Sequence, residues 1–267
     1  MNRVAVSIIS HGHGAAVAAV VEQLAALDDA RIVRVIVTLN QPEPELERLL
    51  HQRAWSFDLQ TVKNQQPLGF GANHNRAFAL DTRLGASVIF AVVNPDIHLR
   101  ANPFDPLLRR LERPDTGVAY PVQVTPDGRR QDHERLLPTP MCLLRRYLPG
   151  APRREVRTGQ RPDWVNAAFL LLRREAYASV GGFDERYHMY GEDVDLCLRL
   201  QLAGWDLDRV DQAVVVHEAQ RASHRKLTHM VWHVQSLLRL WCSPAWRSYR
   251  AKLSASRSKR PPLTGSH

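Results

Sequence analysis

The sequence predicts an α/β fold: a mostly parallel central sheet with helices on both faces, plus a C-terminal basic amphipathic helical extension. Three observations predict it. Short runs rich in Val and Ile recur along the first half, as in VAVSII at 4–9 and RIVRVIVT at 31–38. Stretches with helical spacing separate them. Beyond residue 218 the chain has a helical apolar stripe and no Asp or Glu.

The elements follow in order. Residues 4–9 read as a buried strand ending in Ser10-His11-Gly12-His13-Gly14, followed by a helix over 15–27. A strand at 31–38, a helix near 43–51 and a short strand near 57–62 come next. A helix over 73–84 leads to a very apolar strand at 87–93, then a helix over 104–113 and a strand at 117–124. Residues 125–163 are rich in Pro and Arg and read as a loop, either solvated or an acceptor-side flap whose arginines meet a diphosphate. Trp164 opens a strand through VNAAFLLL, and is either a sugar-stacking platform or a core anchor. A helix from about Glu192 runs to Gly204, a C-cap candidate, and a strand at 209–216 ends at His217. The final stripe is Leu227, Met230, Val231, Val234, Leu237, Leu238 and Trp241.

Composition narrows the class. With 267 residues and 44% hydrophobic content, the chain can form one large domain or a domain plus an extension. It has no run of 18 apolar residues, so no membrane-spanning helix is expected. MNRVAVSIIS reads as a first strand rather than a signal peptide. Cys142, Cys197 and Cys242 are widely spaced, which argues against a disulfide framework or zinc site and fits a reducing cytoplasm. The net charge is +9, yet ten Lys or Arg and no acids lie from Ala219 onward, leaving about −1 for the rest. Trp246 and Tyr249 stand among Arg247, Arg250, Lys252, Arg257, Lys259 and Arg260, a mixture that suits an anionic membrane surface. Nucleic acid is the poorer partner, since no recognition module is present. Residues 257–267 are expected to be disordered.

The chemistry concentrates at 164–205. Three carboxylates, Glu192, Asp193 and Asp195, open the helix after Gly181-Gly182-Phe183-Asp184-Glu185 and the aromatic run Tyr187, Met189 and Tyr190. One acid in a first helical turn complements the helix dipole. Three below a glycine turn also suit a general base held by rigid structure. Ligands of a parallel sheet bind at the carboxyl ends of its strands, so Ser10, His11, Asn40, Asn64 and Asn94 to Asp96 are the other candidates.

The string GGFDERYHMYGEDVDLCLRLQLAGW resembles the C-terminal motif of family 2 glycosyltransferases, the inverting GT-A class, and most of all its bacterial rhamnosyltransferases. The resemblance covers about residues 4–240 and implies a GT-A fold with Asp193 as the base that deprotonates the acceptor hydroxyl. Asp195 would cap or orient the helix. Asn64-Gln65-Gln66-Pro67-Leu68-Gly69-Phe70-Gly71-Ala72-Asn73-His74-Asn75 is similar to the family's N-x-x-N-x-GFGxxxN, with Gln66-Pro67 departing from it. A glycine loop entering a helix suits a diphosphate or sugar hydroxyl. Asn94-Pro95-Asp96 looks like a version of the family's D-x-D, which implies Asp96 as ligand of a divalent metal, Mg²⁺ or Mn²⁺. His217 is either structural or, by the resemblance, a second metal or diphosphate contact, with Ser223 following. The DGRRQ stretch at 127–131 is also similar to rhamnosyltransferases. Departures are His11 for a polar pair, Leu39-Asn40-Gln41-Pro42 for Asp-Asn-x-Ser, and Ala167 for Gly.

The resemblance thus implies a GT-A domain over 1–218, with a nucleotide-binding half at 1–124, an acceptor and catalytic half at 125–218, and the extension at 219–267. The expected site comprises Asp193 as catalyst; Ser10, His11, Asn40, Asn64, Gly71, Asn75, Asn94 and Asp96 for the nucleotide-sugar; Trp164 and Glu192 for the acceptor; and Asp96 with His217 for the metal. The expected reaction is inverting sugar transfer, led by dTDP-rhamnose, to a saccharide or lipid-linked saccharide in surface polysaccharide synthesis. The expected location is the inner face of the cytoplasmic membrane. The alternatives are a nucleotidyltransferase-like enzyme, though 10–14 lacks a basic pyrophosphate loop, or a non-catalytic basic membrane- or nucleic-acid-binding protein on a retired fold.

Overall fold

Alternate residues of the central strands face opposite ways, and both faces are apolar. Ile89, Ala91 and Val93 point into one core, Phe90 and Val92 into the other. A computed structural model describes residues 3–85, 87–142, 156, 160–218 and 227–258. In chain order these form β1 (Val4–Ser10), α1 (Gly14–Ala26), β2 (Ile32–Leu39), α2 (Pro44–His51), β3 (Asp58–Lys63), α3 (Phe70–Arg83), β4 (Ile89–Val93), β5 (Ile97–His98) and α4 (Phe104–Arg110). Then follow β6 (Thr116–Val124), β7 (Glu134–Arg135), β8 (Trp164–Val165), β9 (Phe169–Arg173), α5 (Arg174–Ser179), α6 (Glu192–Leu202), β10 (Asp206–His217), α7 (Leu227–Cys242) and α8 (Pro244–Ser258).

Among the described residues the main sheet has eight strands in the order β3-β2-β1-β4-β9-β6-β10-β5, and β7 pairs with β8 separately. Helices α1, α2 and α4 cover one face through Val17, Leu24, Leu46 and Leu107. The other face carries α3, α5, α6 and α8 through Ala77, Tyr177, Leu198 and Trp246. The sheet is mixed α/β with a helical C-terminal extension, as the composition predicts.

The structure refines four expectations. VNAAFLLL is not one strand: Trp164 and Val165 pair with β7, while β9 enters the main sheet antiparallel to both β4 and β6. Apolar periodicity carries no strand direction, so this reversal leaves no trace in the pattern. The third helix begins at Phe70 rather than 73, because Gly69 serves as its N-cap and the Phe70 amide donates to His188 O at 3.1 Å. Gly204 does end α6, with φ +95° and the Trp205 amide donating to Leu200 O at 3.0 Å. Trp246 and Tyr249 are not membrane-facing: both are buried, Trp246 donating to Pro138 O and the Tyr249 hydroxyl lying 3.0 Å from Asp163 Oδ1. Buried indole and phenol groups need such acceptors, and the body supplies them.

Most arginines of the 125–163 loop, Ser223 and residues 259–267 lie outside the described residues. Among the described residues no helix is long and apolar enough to cross a membrane.

Candidate active site

The carboxyl ends of β1, β2, β3, β4, β6 and β10 share one edge of the sheet, and the strand order reverses between β1 and β4. A crevice at such a reversal takes ligands. Asp96 and His217 meet at this edge, His217 Nε2 lying 3.4 Å from Asp96 Oδ2. That is too long for a good hydrogen bond. The other ring nitrogen, Nδ1, faces the amide oxygens of Gln123 at 3.1 Å and Gln131 at 3.0 Å. The orientation of Gln131 is fixed chemically, because its Nε2 donates to the His217 carbonyl, which can only accept. Nδ1 therefore donates, and in the neutral tautomer the Nε2 lone pair points at a carboxylate. Such a ring, oriented by outer partners beside a carboxylate, is a good donor set for a divalent cation. Among the described residues no cluster of three His, Cys, Asp or Glu surrounds it, so water or a ligand phosphate would complete the shell.

The asparagines hold the glycine loop. Asn40 Oδ1 accepts from Asn64 Nδ2 at 2.7 Å and the Leu68 amide at 2.8 Å. Asn64 Nδ2 also donates to Asn73 Oδ1 at 2.6 Å, and Asn73 Nδ2 reaches Gly69 O at 3.0 Å. Asn75 Nδ2 donates to Phe183 O and Glu185 Oε1, both at 2.9 Å, while its Oδ1 accepts from the Phe183 amide at 3.0 Å. Asn40, Asn64 and Asn75 thus hold the glycine loop and the turn at 183–185 in place. Gly71 likewise is needed for packing: a Cβ there would sit 2.5 Å from Phe183 Cβ. Ser10 is fully buried, which removes its side chain from the crevice surface. His11 is exposed beside Asn40 and Asn94 is half-buried, so both remain available.

Helix α6 rests on the strand that Trp164 opens. Cys197 Sγ donates to Val165 O at 3.7 Å, and the next residue, Asn166, exchanges amide hydrogen bonds with Gln123 at 2.6 and 3.1 Å. Three residues thus connect the acidic helix to the Asp96–His217 pair. Entry to α6 is unusual: Tyr190 has φ +72° and Gly191 φ +83°. A left-handed tyrosine is strained, and surrounding contacts must hold it. Asp195 accepts from Arg199 Nε at 2.6 Å, and Arg199 Nη1 donates to the carbonyls of Val180 and Gly182. Asp195 therefore orients the turn.

Glu192 and Asp193 have environments that separate their protonation. Burial, then the charge of Asp193, pushes Glu192 up to about 8. Burial pushes Asp193 up to about 6, opposed by the Val194 amide and the positive charge of Arg135. Near neutral pH, Asp193 is the charged member and Glu192 the neutral one, a division of labour that suits a base beside a hydrogen-bond donor. Glu192 Oε2 has no hydrogen-bond partner among the described residues. Trp164 is 9% exposed, donates to Leu136 O and has Arg135 over its ring at 5.2 Å. Burial makes it a core anchor, not a sugar platform. Gln123, Gln131, Asn166 and Arg135 were not singled out from sequence. Gln131 ends the DGRRQ string, the one signal that pointed there; the others meet the site only through tertiary folding.

Comparison with known proteins gives the family and the fold. Residues 2–233 match the family described as "Glycosyltransferase like family 2". The chain is 35% identical over 159 residues to an N-acetylglucosaminyl-diphospho-decaprenol L-rhamnosyltransferase of Mycobacterium tuberculosis, covering 54% of this chain and 52% of that one. It therefore spans about half the length of that relative. It is 27% identical over 244 residues to rhamnosyltransferase WbbL of Escherichia coli strain K12, covering 87% and 90%. The fold superposes on mannosyltransferase PcManGT from Pyrobaculum calidifontis, solved with GDP-Man and Mn²⁺, with TM-score 0.62, 15% identity and coverage of 97% and 76%.

Proposed function

The chain belongs to the glycosyltransferase-like family 2, and from that premise we propose that it moves a sugar from a nucleotide-sugar to a saccharide or lipid-linked saccharide, with inversion. The observation that carries the mechanism is the carboxylate pair at the head of α6. Asp193 is the general base, ionised near neutral pH and half-buried. It takes the proton from the acceptor hydroxyl as that oxygen bonds to the anomeric carbon. The bond from that carbon to the diphosphate oxygen breaks on the opposite face, and nucleoside diphosphate leaves. Neutral Glu192 donates a hydrogen bond to the acceptor or sugar and so orients it. Arg135 restrains Asp193 from protonating.

Asp96 and His217 would hold the divalent cation, with Gln123 and Gln131 fixing the ring. A bound cation would supply positive charge for the departing diphosphate. Exposed His11 and half-buried Asn94 lie at the same strand ends and serve the donor. The names of both relatives support rhamnose as the sugar, and hence dTDP-rhamnose as donor. The mycobacterial name supports a polyprenyl diphosphate-linked acceptor, and with it a reaction at the cytoplasmic membrane surface in cell-surface polysaccharide synthesis.

Calorimetric titration with dTDP, UDP and GDP, each with and without Mn²⁺ or Mg²⁺, tests the reading. Metal-dependent binding selective for dTDP is expected. Binding of no nucleotide, or release of pyrophosphate instead of nucleoside diphosphate during turnover, would overturn it.

A further inference from the structure

Helix α7 presents two different faces. Its inner face grips the strained segment that enters α6. Trp232 packs against His188 with centroids 4.7 Å apart, and His233 against Tyr190 at 5.2 Å. Ser236 Oγ donates to Met189 O at 2.9 Å, and the Arg239 guanidinium lies 5.9 Å from the Tyr187 ring centre. The outer face is apolar and open: Met230, Val231, Val234 and Leu238 are 50–59% exposed. Their spacing puts them on one stripe of the helix. Among the other described residues exposed apolar side chains are fewer per element, whereas these four share one helix face, which marks an interaction surface.

Charge identifies the occupant. From Ala219 to the C-terminus the chain has ten Lys or Arg and no Asp or Glu, although Arg239, Arg250 and Lys252 also contact Tyr187, Trp246 and Gln201 O. Bringing two such surfaces together in a dimer would oppose like charges. The adjoining stretches 219–226 and 259–267 have almost no large apolar residue to cover the stripe. An apolar stripe within a segment of that charge fits a bilayer with anionic headgroups, the apolar residues entering the interface and the positive field of the segment drawing it to the surface.

We propose that the outer face of α7, through Met230, Val231, Val234 and Leu238, is the docking surface for an anionic lipid bilayer, and that docking steadies the Tyr187–Tyr190 segment at the head of the catalytic helix. The docking half is independent of the transferase reading; the second half rests on it. This assigns membrane contact to α7 and not to Trp246 and Tyr249, which are buried.

The test is flotation of the full chain with vesicles of phosphatidylcholine containing 30% phosphatidylglycerol (about a third anionic, chosen to give a strong surface potential) and with pure phosphatidylcholine. Wild type should float with the anionic vesicles only. The triple variant Met230→Ser, Val234→Ser, Leu238→Ser should bind at least about tenfold more weakly, with an unchanged melting temperature because these side chains are exposed. Transfer to a short-chain soluble acceptor should be the same in the variant, while anionic vesicles should raise the wild-type rate and leave the variant's unchanged. Equal flotation of variant and wild type, equal binding to neutral vesicles, or a wild-type dimer that the variant converts to monomer would each overturn the docking surface. Docking without vesicle stimulation would overturn the coupling. Absence of any transfer by wild type alongside normal flotation would count against the transferase reading alone.

Discussion

Nε2 of His217 lies 3.4 Å from Oδ2 of Asp96, and on the far side of the ring Gln131 Oε1 accepts from Nδ1, so the neutral tautomer turns its Nε2 lone pair toward Asp96. A neutral imidazole and a carboxylate facing one another are a donor pair for a divalent cation. Asp96→Asn and His217→Ala should each abolish the Mn²⁺-dependent part of dTDP binding. Gln131→Leu should weaken it by roughly 10–100-fold, the usual cost of losing an outer partner of a metal-binding histidine. Calorimetry in matched buffers with Mn²⁺ and with chelator measures this. Equal affinity with and without metal in the wild type would contradict the pair's role.

The pH profile should report Asp193. Its conjugate base is the active form, so kcat/KM should fall as pH drops through about 6. Arg135→Ala removes a positive charge that favours the ionised form, so the acidic limb should move to higher pH. Glu192→Gln should leave that limb in place, since Glu192 is already neutral there. A limb near pH 4, unmoved by Arg135→Ala, would contradict the assignment.

Glu192 should also lower stability at high pH. Its folded-state value is raised above the unfolded one, so the folded state holds the proton more tightly, and stability falls as pH rises from about 4.5 toward 8. Glu192→Gln lacks that loss. The variant's melting temperature should match wild type near pH 4 and exceed it by at least about 2 °C at pH 8.5, on a scale of roughly 2–4 °C per kcal/mol. A constant difference across that range would count against a buried, proton-retaining Glu192.

Gly71→Ala tests the packing of the glycine loop on the catalytic turn. The added carbon would sit 2.5 Å from Phe183 Cβ, so one segment must move. A cost of about 1–3 kcal/mol is expected for such overpacking. Melting should fall by several degrees, and kcat should fall with it because Phe183 adjoins the turn that Arg199 holds. An unchanged melting temperature would show that the two motifs are not in contact.

Much of this was legible in the sequence because it is local. The βα alternation gave the parallel half of the sheet, and the carboxylates after Gly191 stand at the first turn of α6 as their position implies. Asp96 falls at a strand end beside the order reversal. What was not legible depends on partners far away in sequence. Antiparallel β9 is as apolar as its neighbours, so its direction is invisible until it is paired. Asn40 and Asn64 are candidates by their place after strands and Asn75 by the glycine-loop motif; that they also brace loops, through Leu68, Asn73 and Phe183, depends on partners the pattern does not name. Trp246 and Tyr249 stand among cations in sequence but face inward, since a helix separates neighbours in sequence onto different faces.

The central claim is that Asp193 takes the acceptor proton, and single-turnover transfer by Asp193→Asn tests it most directly. With dTDP-rhamnose and a polyprenyl diphosphate-linked acceptor, the rate should fall by roughly 10²–10⁴-fold, as loss of a general base does, with dTDP affinity unchanged. A rate within a fewfold of wild type, or a matching loss of nucleotide affinity, would contradict it.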